Sequence, residues 1–291
     1  MNKGVFFIIG AAMLWGTTGT TQAFAPMGAS PLTVGTMRLL IGGFGLLIVA
    51  IVGRSFTGGK FNPVHVIAGA VLVAIYQIAF FSAVNLTGVA VGTIVAIGSG
   101  PAFAGVLGKV VLKEQLDVKW YIATFLAVVG CTLLVLSGES EVSVNPLGIL
   151  YALISGFGYA AYTMIVKVML EKARGNAVIA LLFFGGAIIM LPALFVYDIA
   201  WIFTEKGIFS MAYLGLFATT LSYILFAKGL KLITVAKTTT LSLAEPLTAA
   251  VLGIIVLGET LNIMVALGML CIFTGIVVLS VERQKLSADA K

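Results

Sequence analysis

Ten runs of about 20 apolar residues follow one another along this chain, at 4–24, 32–52, 64–83, 90–112, 118–136, 147–169, 177–197, 209–227, 235–257 and 262–281. Each is long enough to cross the ~30 Å hydrocarbon layer as a helix. Together they take up more than two thirds of the 291 residues. Within this sequence there is no room for an ATPase, a sensor or a soluble catalytic module. Only 10% of the residues are charged and 60% are apolar, against about 25% charged in soluble proteins. A β-barrel is excluded, because barrel strands alternate apolar with polar and Ile8-Ile9-Gly10-Ala11-Ala12-Met13-Leu14 does not. The fold class is therefore an all-α polytopic membrane protein with ten transmembrane helices.

Charge sets the expected orientation. Lys3, Arg54, Lys60, Lys109, Lys113, Lys119, Lys167, Lys172, Arg174, Lys228, Lys231, Lys237, Arg283, Lys285 and Lys291 fall on one side of the alternating loops, and Lys206 alone falls on the other. Basic residues mark the cytoplasmic side, so both termini are expected in the cytoplasm. The 137–146 loop, with Glu139 and Glu141, is expected outside. The net charge of +6 is thus explained by orientation and calls for no nucleic-acid partner. Ala23-Phe24-Ala25 mimics a signal-peptide cleavage site, but Pro26 follows it and the preceding run is of full spanning length. A retained first helix is expected.

The sequence repeats itself. Shifted by 145, Pro101 falls on Pro246, Glu114 on Glu259 and Gly130 on Gly275. Leu112-Lys113-Glu114-Gln115-Leu116 falls on Leu257-Gly258-Glu259-Thr260-Leu261, and near the start Trp15 pairs with Tyr159. The expected units are 1–137 and 146–282, five helices each, with a short cytoplasmic tail at 283–291. Five is odd, so the second unit enters from the opposite side and the repeats are inverted around a central cavity. That symmetry is common in secondary transporters.

On these residues the chain resembles the drug/metabolite transporter superfamily, specifically its EamA-like ten-helix members. The likeness rests on Leu14-Trp15-Gly16, on Arg38 early in the second helix, and on the paired helix-end signatures: Pro101 with Leu112-Lys113-Glu114, and Glu245-Pro246 with Leu257-Gly258-Glu259. It departs at Lys113, where the second half has glycine. The resemblance implies alternating access, commonly in the export direction, for amino acids and other small metabolites. It also implies a bacterial inner membrane.

Glu245 is the most informative single residue. An acid in mid-span costs roughly 2.5–3.5 kcal/mol on insertion scales, so it should face a cavity or a partner. It is expected to serve as a counter-ion for a substrate amine or as a proton-coupling group, or else as a structural acid beside Pro246. Thr238, Ser242 and Glu245 share one helical face, as do Trp15, Thr18 and Gln22, and Ser155, Tyr159 and Tyr162. Tyr76 with Phe80, and Thr219 with Tyr223 and Phe226, give two further aromatic faces, and Gln77 is another polar candidate. These residues could line a cavity suited to amphiphilic or cationic solutes, or could simply pack helices. Gly100, Pro101 and Pro246 are expected as paired hinges, since proline removes a backbone donor inside a helix. Arg38, Glu114 and Glu259 are expected as structural charges, and Asn85 in a short outer loop. Cys131 and Cys271 are expected as packing residues.

No His/Cys/Asp/Glu grouping has metal-ligand spacing, His65 is the single histidine, and no P-loop is present. No cofactor, metal or catalytic residue is expected. The partners expected are a small-molecule substrate and the lipid bilayer, with a monomer or homodimer both open. The leading function is a secondary exporter of amino acids or related solutes. Alternatives are export of organic cations or drug-like compounds, and metabolite uptake or exchange. An intramembrane lipid-modifying enzyme or a passive channel has less to support it.

Overall fold

The computed structural model describes residues 2–26, 28–137 and 145–281. Glu139, Glu141 and the 283–291 tail lie outside them. Ten helices among the described residues are long and apolar enough to span a membrane: α1 Lys3–Ala23, α2 Pro31–Val52, α3 Pro63–Gly88, α4 Val91–Val110, α5 Val118–Leu136, α6 Pro146–Met169, α7 Gly175–Val196, α8 Glu205–Leu232, α9 Val235–Leu257 and α10 Ile263–Ser280. Helix starts are written locally. Asn2, Ser30, Asn62, Asp117, Asn145, Thr204, Thr234 and Asn262 each lend a side-chain oxygen to an amide of the first turn, meeting donors that the helix itself leaves unpaired.

Helix pairing is reciprocal between the halves. Helix α1 packs on α8 and α9, while α6 packs on α3 and α4; α2 packs on α7, and α5 on α10. Small residues bring the backbones close, as they do in other membrane bundles. A Cβ on Gly130 of α5 would lie 2.6 Å from the Gly268 carbonyl of α10, and one on Gly43 of α2 would lie 3.0 Å from the Phe184 backbone of α7.

Three helices differ from the sequence expectation. Helix α3 runs on to Gly88, where φ of 80° breaks the helical path, so Asn85 is helical and not in a loop. Apolar windows do not register one asparagine inside a helix, whereas the left-handed glycine ends the run sharply. Helix α8 holds a π-helical stretch, Leu216–Leu221. Helix α9 is two pieces, Val235–Leu241 and Ala244–Leu257, joined through Ser242 and Leu243. The break falls four residues before Pro246, which therefore sits in the first turn of the second piece, where an amide is dispensable. Pro101, by contrast, lies within an unbroken α4. The two prolines are equivalent in sequence and unequal in structure.

Lys113 and Gly258 are equivalent in both. Gly258 has φ of 73° and Lys113 has φ of 55°. Just beyond them, the Glu114 amide donates to the Gly108 carbonyl at 2.9 Å and the Glu259 amide to the Gly253 carbonyl at 3.1 Å. The same turn is built twice, and the first copy places a lysine in the left-handed region.

Candidate functional site

A cavity of about 1110 Å³ enters the bundle between α1, α2, α3, α4, α6, α8 and α9. Its mouth lies at Gln22, Ser137, Glu259, Thr260 and Asn262, on the face opposite Asn2 and Val281. Its walls reach down to Tyr223, Thr239 and Ser242 in mid-bundle.

Below that depth the bundle is closed. The Glu114 carboxylate accepts the Val235 and Ala236 amides at 2.7 and 3.2 Å, capping the start of α9 from the opposite half. An acid at a helix N-terminus meets both the free amides and the helix dipole. Lys167 donates to the Leu230 and Ile233 carbonyls at 2.7 Å each, capping the end of α8. The Trp120 indole donates to the Ala236 carbonyl at 3.0 Å, and Thr124 meets Thr240 at 2.8 Å. Ile8 of α1 lies against Gly229 so closely that a Cβ there would be 2.6 Å away.

Four aromatic side chains from four helices surround the cavity: Trp15, Tyr76, Tyr159 and Tyr223. Trp15 is fixed by its indole, which donates to the Ser222 hydroxyl at 2.9 Å, and by the Tyr223 ring at 5.0 Å. Ser222 follows directly on the π-helical stretch of α8; such one-residue insertions re-aim side chains and are common at functional sites. Tyr76 and Tyr159 have ring centroids 6.0 Å apart. The Tyr159 hydroxyl donates to Ser242 at 2.9 Å, tying α6 to the break in α9.

That break explains where Glu245 stands. It occupies the first turn of the second α9 piece. Gly16 of α1 lets the two helices touch: a Cβ there would lie 2.7 Å from the Glu245 carbonyl and 2.6 Å from Thr248. The Leu14-Trp15-Gly16 motif thus has two distinct jobs, an indole aimed at α8 and a missing side chain facing α9. Arg38 also lines the cavity, and its charge acts on Tyr76. It attracts Glu245 by charge, with no hydrogen bond between them.

Of the sequence candidates, Trp15, Thr18, Gln22, Tyr76, Gln77, Phe80, Tyr159, Tyr223, Ser242 and Glu245 line this cavity, together with Ser155 and Pro246. Tyr162 and Thr238 do not. Tyr162 is fully buried against Tyr76, Tyr159 and Phe183, behind the wall. Thr238 bonds the Thr234 carbonyl and is fully buried, because the α9 break rotates its turn away from that of Glu245. Thr219 and Phe226 are likewise buried, Thr219 donating to the Leu214 carbonyl. Gly100 leaves room for the Tyr159 ring, which a Cβ there would meet at 3.4 Å, and Pro101 is buried beside it. Arg38, grouped with the structural charges from sequence, lines the cavity, as Glu259 does at the mouth. Only Glu114 of the three makes purely structural contacts. Cys131 is buried and Cys271 half-buried; both are free thiols. Thr93 and Thr239 also line the cavity; threonines inside apolar runs carry no signal that sets them apart from packing residues.

A ten-helix membrane bundle entered from one face by a deep, partly polar cavity is the build of a membrane transporter. The chain belongs to the EamA-like transporter family of the drug/metabolite transporter superfamily, which it matches over residues 2–136 and again over 146–281. It is 44% identical over 234 residues to "Uncharacterized transporter YwfM" of Bacillus subtilis (strain 168), an alignment that covers 80% of this chain and 79% of that protein. A solved crystal structure shares its fold at a TM-score of 0.84 with 17% identity, covering 95% of this chain and 96% of the other.

Proposed function

We propose that the protein is a secondary carrier that exports amino acids or related amphiphilic solutes by alternating access. The observation that carries this reading is the one-sided cavity: open at Gln22 and Glu259, closed below Ser242 by contacts that join the two halves. A channel would need a continuous path; a carrier needs one closed end. The paired halves, read as inverted repeats with units 1–137 and 146–282, would exchange shapes to move the opening to the other face. Gly100, Pro101 and the α9 break before Pro246 are the positions at which that exchange would bend the helices. The fifteen-to-one basic bias supports cytoplasmic termini in a bacterial inner membrane. In that orientation the cavity faces outward, the releasing state of an exporter. Glu245 contacts the substrate amine or couples a proton to its movement.

The test is flux of a neutral amino-acid panel in proteoliposomes, with and without an imposed proton gradient, beside Glu245→Gln. Saturable flux that the variant loses is expected. A variant with unchanged flux and unchanged gradient dependence removes Glu245 from the mechanism. A second reading, export of organic cations, is favoured by one specific feature: an acid among four aromatic rings is an arrangement that binds cations.

A further inference from the structure

The closed end of the bundle and its open mouth carry the same part, and only one copy is engaged. Glu114 follows the left-handed Lys113, sits over Gly108 and lays its carboxylate on the first two amides of α9, Val235 and Ala236. Glu259 follows the left-handed Gly258 and sits over Gly253 in the same way: a Cβ on either glycine would run into the glutamate carboxylate. Asp117 and Asn262, three residues further on, each cap the helix that comes next. The turn that aims Glu114 is thus complete at Glu259. Yet Glu259 is exposed at the cavity mouth, and among the described residues its carboxylate accepts no hydrogen bond.

The sequence repeat names the partner that Glu259 lacks. Val89-Ala90 falls on Val235-Ala236, and Thr93 on Thr239, at a shift of 146. Val89 and Ala90 follow directly on Gly88, whose φ of 80° breaks the helical path before α4, as Thr234 leaves the helical region before α9. Thr93, one turn on, lines the cavity whose mouth holds Glu259. The acid and the helix start that match Glu114 and α9 therefore border one opening. A carboxylate laid on first-turn amides meets both free donors and the helix dipole. The other contacts of the closed end have no such match. Trp120, Thr124 and Lys167, which bond α9 and the end of α8, fall on Val265, Met269 and Ala23, none of which carries a side-chain donor.

We propose that Glu259 is the outer latch of the carrier: when the cavity opens toward the face of Asn2, Glu259 caps the start of α4 at the Val89 and Ala90 amides, as Glu114 releases the start of α9. This rests on the alternating-access reading above and deepens it, since it gives the outer gate a residue. With no indole, hydroxyl or ammonium at the matching positions, the outer closure depends more heavily on its one acid than the inner closure does on Glu114. The outer closure is the weaker of the two, and the form open at Glu259 is the resting one.

The experiment uses Thr93→Cys in the Cys131→Ser, Cys271→Ser background, reconstituted in proteoliposomes and treated with an impermeant maleimide from the face of Gln22. Labelling should be fast in this parent. Glu114→Ala, which loosens the opposite closure, should slow it about five-fold or more, because the mouth then spends most of its time shut. Adding Glu259→Ala to Glu114→Ala should return the rate to within about two-fold of the parent. Adding Glu259→Gln, which keeps one acceptor oxygen, should return it only in part. Glu259 is exposed, so neither addition should change Tm, and an equal Tm separates a lost latch from a lost fold. A double variant that labels as slowly as Glu114→Ala alone overturns the proposal and leaves the carrier reading standing. Glu114→Ala that labels as fast as the parent removes the exchange of states, and both readings with it. Slowing that Glu259→Ala reverses, without saturable flux of leucine or phenylalanine, upholds the latch and sinks the amino-acid export reading.

Discussion

Glu114→Ala tests the closed end of the bundle. The change removes a half-buried carboxylate that accepts two backbone amides of α9, at 2.7 and 3.2 Å. Hydrogen bonds to a charged partner contribute about 1.5–3 kcal/mol each when buried. Two would give about 3–6 kcal/mol; partial exposure and the longer second bond bring this down to about 2–3 kcal/mol. The loss falls on the state in which the halves meet at this end, and little of it falls on a state in which they have parted. The open-to-closed ratio there should therefore rise about 30- to 150-fold. The assay uses Thr239→Cys, deep on the cavity wall, in a Cys131→Ser, Cys271→Ser background. An impermeant maleimide is applied from the face of Asn2 and Val281. Labelling from that face should accelerate by more than ten-fold in Glu114→Ala and by less in Glu114→Gln, which keeps one acceptor oxygen. Unchanged labelling of a folded Glu114→Ala protein would refute the assignment of this contact as the closure.

Further outcomes follow from single contacts. Lys113→Gly should raise thermal stability by about 0.5–1 kcal/mol, since lysine sits at φ of 55° where glycine is unstrained; Gly258→Ala should lower it by a similar amount, both read as Tm by nanoscale fluorimetry. Gly16→Ala should destabilise by about 1–3 kcal/mol, because its Cβ would press on the Glu245 carbonyl at 2.7 Å; an unchanged Tm would show that α1 and α9 are looser than described. Trp15→Phe should cost about 0.5–1.5 kcal/mol through the lost bond to Ser222 while retaining ring contact with Tyr223. Tyr162→Phe, behind the wall, should leave substrate KM within about two-fold, whereas Tyr159→Phe, which unties Ser242, should change it further.

The spans were legible because twenty apolar residues in a row admit few alternatives in a bilayer. Their ends were harder where one local feature outweighed the run, as Gly88 does in carrying α3 past Asn85. Sequence placed Tyr159 and Tyr162 on one helical face and could not say that one meets the cavity and the other the core, since both surroundings take the same aromatic residue. The Thr238–Ser242–Glu245 face assumed a continuous helix; the turn through Ser242 and Leu243 breaks the register. Arg38 was visible as a charge inside a span, but what it faces is decided by the packing of α2 on α7 and α8. The departure at Lys113 proved to be chemical and not structural, the same left-handed turn built without its glycine.

The central claim is that the substrate passes through this cavity. Thr93, on its wall, offers a direct measurement when changed to cysteine in the Cys131→Ser, Cys271→Ser background. The account predicts that a bulky methanethiosulfonate reagent stops amino-acid flux in proteoliposomes, that a reducing agent restores it, and that transported substrate slows the modification. A fully modified protein that carries amino acid at the unmodified rate would contradict it.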